Sequence, residues 1–167
     1  ALFIAAAQYY LPNFINGFGA DGYCSEGLGY WNYGFGHFIM LTETVRQATG
    51  GHTDLLEDPK AGPAALFGRR DEMINGIYPS IADCHPSSKP DPQITAYICR
   101  RMNLSPCDWR REIFVRPDGS LFTTALFSFL PEKLPIVARS TSVSDSPLRT
   151  WFPDGGVMIC RPATNSP

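Results

Sequence analysis

A mainly α-helical chain with a β-rich end is predicted by three observations. A long apolar segment with helical spacing follows a glycine-rich loop; helix start and stop signals recur through residues 1–130; and β-branched segments separated by proline and serine/threonine come after them. The 167 residues hold 44% hydrophobic and 18% charged content with a net charge of −2, an ordinary globular balance with enough apolar material for a real core.

Residues 1–11 read as a helix stopped by Pro12, and 13–22 carry the chain into the glycine-rich loop. The clearest element follows, a helix from about residue 29 to residue 49. It sets Tyr30, Trp31, Phe35, Phe38, Ile39, Met40, Leu41, Val45 and Ala48 around most of its circumference, with Glu43, Arg46 and Gln47 as one polar side, so it is expected to be largely buried. Gly50 and Gly51 supply its C-cap. Arg46 is placed to pair with Glu43 at i, i+3.

Short helices are expected over 54–60, stopped by Pro59, and over 63–70, then an extended stretch over 73–78 and a proline-rich loop around Cys84. Asp91 and Pro92 start a helix running to Met102, and Ser120 caps another to Leu130. Strands are expected over 136–138, 148–152 and 157–160, the last two joined at Asp154-Gly155-Gly156. A domain boundary falls near residue 132, giving a helical part over 1–131 and a β part over 132–167.

The residues that point to chemistry are Asp21 to His37, where glycines interleave with carboxylates, aromatic rings and a histidine just ahead of the apolar helix. Tyr30, Tyr33 and His37 stand at i, i+3 and i+7, which puts two phenols and an imidazole on one face near the helix N-terminus. Trp31 and Tyr33 offer flat faces for pyranose rings, and Glu26 lies where a carboxylate either caps the helix or faces a cleft.

The pattern Asp-Gly-x-x-x-Glu-Gly-x-Gly-Tyr-Trp-x-Tyr-Gly over residues 21–34 resembles that of heparinase II/III-type polysaccharide lyases. The likeness continues in short stretches at 48–51, 54–56, 79–83 and 151–157. It implies an α/α toroid of paired helices followed by an antiparallel β-sandwich, of which this chain would hold the later helices and the first strands. Since a few strands cannot bury a sheet face alone, the chain is expected to be a fragment. The resemblance puts Tyr30 on the catalytic tyrosine, with Tyr33 the nearest competitor; Glu26, Trp31, Tyr33 and His37 are read from their own chemistry as the substrate contacts beside it. It implies β-elimination on a uronic-acid polysaccharide, in which a tyrosine takes the C5 proton, protonates the O4 leaving group, or does both. The family's second catalytic residues, an asparagine or histidine from an earlier helix and a histidine from the sandwich, have no matching motif here.

Two other function classes fit the same loop. A toroid glycoside hydrolase would need two carboxylates, for which Asp21 and Glu26 are the local candidates, and a non-catalytic glycan-binding domain would need only the aromatics. No cofactor or metal site is expected: His85, in Asp83-Cys84-His85-Pro86, lacks a second ligand cluster, and His52 follows the glycine cap. The arginine pairs 69–70, 100–101 and 110–111 form no basic stripe, so nucleic acid is not an expected partner; 69–70 and 100–101 are taken as solvated, and the apolar stretch 1–7 is too short to span a bilayer. The resemblance implies a periplasmic or secreted protein; oligomeric state is left open. Cysteines 24, 84, 99, 107 and 160 lack a CxxC pair, which leaves buried free thiols or one disulfide among Cys84, Cys99 and Cys107.

Overall fold

The computed structural model describes residues 2–104, 136 and 147–162. The expected helix over 120–130 and the position of the domain boundary lie outside them. The described fold is mixed, helices followed by a two-stranded antiparallel sheet. No helix among the described residues is long and apolar enough to cross a membrane.

Helix α1, Leu2–Ile15, does not end at Pro12 but runs one turn beyond it. Proline lacks an N–H yet keeps its carbonyl, and here that oxygen accepts from Asn16 at 2.9 Å. The extra turn brings Phe14 onto Phe38, ring centroids 5.8 Å apart, and buries Ile15. The expected helix over 29–49 is three pieces in one continuous run: α2 (Gly27–Tyr30), a π turn (Trp31–Phe35) and α3 (Gly36–Ala48). Its glycine cap forms as expected, with Gly50 and Gly51 at φ +59° and +86° and the Gly51 N–H reaching back to the Arg46 carbonyl at 2.8 Å.

Three short elements come next. Residues 54–60 form only a 3-10 turn, Leu55–Glu57, with the Asp54 carboxylate accepting from the Leu56 N–H at 3.2 Å. The helix expected over 63–70 is divided at Leu66 into α4 (Ala61–Ala65) and α5 (Phe67–Arg70). The stretch over 73–78 is not extended but folds back on itself, Ile74 bridging Ile77 across Asn75 and Gly76. Both turn residues have positive φ, 49° and 73°, the conformation a tight hairpin turn requires. Helix α6, Pro92–Met102, starts where expected, with the Asp91 carboxylate accepting from the N–H groups of Gln93 and Ile94 at 2.8 and 3.2 Å.

Strands β1 (Arg149–Phe152) and β2 (Val157–Cys160) form the expected hairpin, with Thr150 opposite Ile159 and Trp151 opposite Met158. Alternation points Thr150, Phe152 and Ile159 inward and leaves Trp151 and Met158 outside. Phe152 and Ile159 join the same hydrophobic cluster as Leu28, Trp31, Phe35 and Phe67, so hairpin and helices share one core.

That core also contains charge. The polar side assigned to Glu43, Arg46 and Gln47 runs from interior to surface: Glu43 is fully buried, Arg46 half-buried and Gln47 exposed. Arg46 grips the Glu43 carboxylate through Nη2 at 2.6 Å and Nε at 2.9 Å, Gln47 donates at 2.8 Å and the Tyr97 hydroxyl at 2.8 Å. Arg101, expected to be a solvated face, is fully buried, donating to the Tyr97 hydroxyl at 2.7 Å and pairing with Asp54. The expected Glu43–Arg46 pair is thus present, within a larger network that ties α3, α6 and the 3-10 turn together. Burial alone would raise the Glu43 pKa, but the donors from Arg46, Gln47 and Tyr97 outweigh it and hold the carboxyl below the usual range.

Candidate functional site

The loop 16–26 reaches α2 through two close backbone approaches that only glycine permits. Gly22, at φ +85°, lies against the backbone of Pro63 and Ala64, and Gly27, at φ +78°, faces the Ile81 carbonyl and the Cys84 Cβ. These contacts fix where the run α2, π turn and α3 begins, and hence where its ring-bearing residues stand.

Trp31 is not a sugar platform. It is 1% exposed, its indole N–H donates to the Ala64 carbonyl at 2.8 Å, and Phe35 stacks on it with centroids 5.6 Å apart at 6°. Gly68 packs so closely that an added Cβ would lie 2.8 Å from the indole ring. A ring whose surroundings are already filled by protein has no surface to give a substrate.

Tyr30, by contrast, is 48% exposed and Tyr33 is 69% exposed, and His37 is exposed as well. The Tyr33 and His37 rings meet at 4.6 Å, and the His37 Nδ1 lies 2.6 Å from the Tyr33 carbonyl oxygen. A carbonyl only accepts, so Nδ1 carries the proton and Nε2 is the nitrogen left for an outside partner. The interposed π turn bears on this arrangement, because such turns set side chains at positions a regular helix would not provide. The structure therefore leaves both phenols and the imidazole available to a ligand.

Glu26 occupies the N-cap position of α2, but its side chain makes no capping hydrogen bond and is exposed. Asp21, its partner in the two-carboxylate reading, is committed elsewhere. One oxygen accepts from the Tyr23 N–H at 2.8 Å and the other from the Asp154 N–H at 3.1 Å, while the Asp154 carboxylate accepts in turn from the Ala20 N–H. Asp21 and Asp154 thus clasp the hairpin turn to the motif loop. Arg70 completes the clasp, donating to the Asp21 carbonyl and lying 4.5 Å over the Phe152 ring. It is half-buried rather than a solvated charge.

The remaining histidines have other partners. His85 Nδ1 pairs with the Ser87 hydroxyl at 2.8 Å, and His52 is exposed beyond the glycine cap, its N–H donating to Thr49. Among the described residues no three His, Cys, Asp or Glu side chains are gathered to hold a metal ion. Cys24, Cys84 and Cys160 are free thiols, whereas Cys99 is disulfide-bonded. A cleft about 180 Å³ in volume lies elsewhere, between Leu11, Ile15, Phe38 and the acids Asp54 and Asp58.

The residue that sequence reasoning passed over is Asp71, at the C-terminal end of α5. It is fully buried and neither carboxylate oxygen has a hydrogen-bond partner. Burial pushes its pKa up to about 7, against the smaller opposing pull of Arg161. Its position between two ordinary-looking neighbours, Arg70 and Glu72, gives no sequence signal of this. Compared with protein-family models, with characterised proteins and with solved structures, the chain has no match in any of the three.

Proposed function

We propose that this chain belongs to a polysaccharide lyase that cleaves a uronic-acid polysaccharide by β-elimination, with Tyr30 moving the proton. The observation that carries the reading is the solvent-facing Tyr30 phenol on a π-turned helix, followed by the exposed Tyr33 and His37. Elimination needs a group that takes a proton from C5 and returns one to the departing O4, and a phenol held beside the sugar is chemically suited to both steps. Tyr33 supplies a ring face for the sugar, His37 a nitrogen for a hydroxyl or carboxylate, and Glu26 an acceptor for sugar hydroxyls; Trp31 supports the helix from within the core. In this reading the helices are part of an α/α toroid and the β1–β2 hairpin opens an antiparallel sandwich. The disulfide at Cys99 supports a periplasmic or secreted setting, since such bonds persist in oxidising compartments.

The structural work done by Asp21 weighs against hydrolysis by an Asp21–Glu26 pair, because each of its oxygens already accepts a backbone N–H that ties the motif loop and the hairpin turn together. The deciding assay offers a panel of uronate polysaccharides to the complete gene product and its Tyr30→Phe variant, following the ultraviolet absorbance of the unsaturated sugar that only elimination creates. The variant is expected to fold normally and to lose roughly 10²- to 10⁴-fold in turnover. Equal turnover in the two proteins removes Tyr30 from the mechanism, and saturated products would point to hydrolysis instead.

A further inference from the structure

We infer that Asp71 is a proton-dependent latch for the β1–β2 hairpin: its carboxyl group is uncharged while the hairpin is seated, and its ionisation unseats the hairpin. The inference is independent of the catalytic reading above. It starts from geometry: a fully buried carboxyl with both oxygens unpartnered follows Arg70 at the end of α5, and the Arg70 carbonyl accepts from Arg161 at the end of the hairpin.

The charged and titratable groups that face Asp71 come from each element packed around it. Tyr23 and Cys24 belong to the motif loop, Tyr78 to the segment after the Ile74–Ile77 turn, and Arg161 to the strand end beyond β2. Desolvation raises the pKa of Tyr23, Cys24 and Tyr78, so these three are neutral near neutrality and offer no compensating charge. Arg161 is the cation among them; three of its five N–H groups are used on the hairpin seat and none reaches Asp71, so pairing with the carboxylate would require the guanidinium to move. It donates to the Pro147 carbonyl at 2.9 Å, the Thr150 hydroxyl at 2.8 Å and the Arg70 carbonyl at 2.6 Å.

An anion created at Asp71 would be relieved in one of two ways. Either Arg161 turns to the carboxylate and gives up the bonds that hold β1 to the end of α5, or water enters between the hairpin and the helices. Both routes loosen the same contact, which is why ionisation and hairpin seating are linked. With the seated carboxyl titrating at about 7 and a solvated one near 3.8, the open fraction of the hairpin should grow about tenfold per pH unit across that interval and level off above it.

The test is amide hydrogen exchange of the whole chain between pH 5 and pH 8.5, corrected for the intrinsic pH dependence of exchange. The opening constants of Thr150 and Ile159 should climb towards neutrality and then plateau, while those of Phe38 and Ile39 in α3 stay level. In Asp71→Asn the hairpin amides should lose this pH dependence. Since that variant could fail to fold, the Asp71 carboxyl carbon is also titrated by NMR in the unaltered protein. A carboxyl that titrates in the ordinary acidic range, hairpin protection indifferent to pH, or the same pH response in the variant would each overturn the latch.

Discussion

Single residues in the motif divide by what surrounds them rather than by type. Tyr30, Trp31 and Tyr33 are near neighbours in sequence and all aromatic, yet Trp31 is sealed in the core while both tyrosines face solvent. Helical spacing does put them on different sides, but it does not say which side meets α4. The Ala64 carbonyl that accepts from the Trp31 indole decides it. Truncation should separate the roles: Trp31→Ala is expected to cost about 3–5 kcal/mol of stability, read as a lower urea midpoint. Tyr30→Phe should leave that midpoint within about 0.5 kcal/mol of the parent and act on turnover alone. A Trp31→Ala protein as stable as the parent would mean that the indole is not core.

At the scale of elements, the joints between pieces rest on glycines that admit a neighbour. Gly36 brings α3 so near α6 that an added Cβ would come within 2.6 Å of Ile94, and Gly155 brings the hairpin turn against the Tyr23 ring. Gly156, beside it, has open space and a φ of +64°. Alanine at these two positions therefore tests two different costs. Gly155→Ala must push Tyr23 or lift the hairpin and should lose about 1–3 kcal/mol as overpacking. Gly156→Ala meets only the backbone penalty of a left-handed conformation, roughly 1–2 kcal/mol, without displacing Tyr23. A matched pair of chemical melts, with an NMR shift perturbation of Tyr23 expected in Gly155→Ala alone, distinguishes them.

For the molecule as a whole, buried carboxyl groups of opposite character shape the response to pH. Glu43 has a lowered pKa in the fold, so the stability it contributes is complete above its ordinary value of 4.5 and is lost as pH falls through the folded value. Asp71 has a raised one, so its contribution is complete below 3.8 and is lost as pH rises through about 7. Together they favour weakly acidic solution. Glu43→Gln, which keeps the shape but leaves Arg46 without its carboxylate partner, should lower stability by about 3–5 kcal/mol at neutral pH. It should also flatten the acid limb of a plot of melting temperature against pH. An unchanged acid limb in the variant would assign that limb to other carboxylates.

Sequence alone determined what depends on neighbours close along the chain: the helical run after the glycine loop, the Gly50-Gly51 and Asp91 caps, the turn at Asp154-Gly155-Gly156, and the aromatic residues gathered ahead of α3. These features are local because a cap or a turn needs only a few consecutive residues to satisfy its hydrogen bonds. The tertiary structure alone decided which polar groups lie inside: it buried Glu43 and Asp71 completely and took Arg101, expected to be solvated, into the core. It also decided that Asp21 holds a hairpin turn 133 residues away instead of standing free for catalysis. The reason is physical: burial and pairing are set by atoms brought together from distant parts of the chain, and no spacing within one segment encodes which partner will arrive.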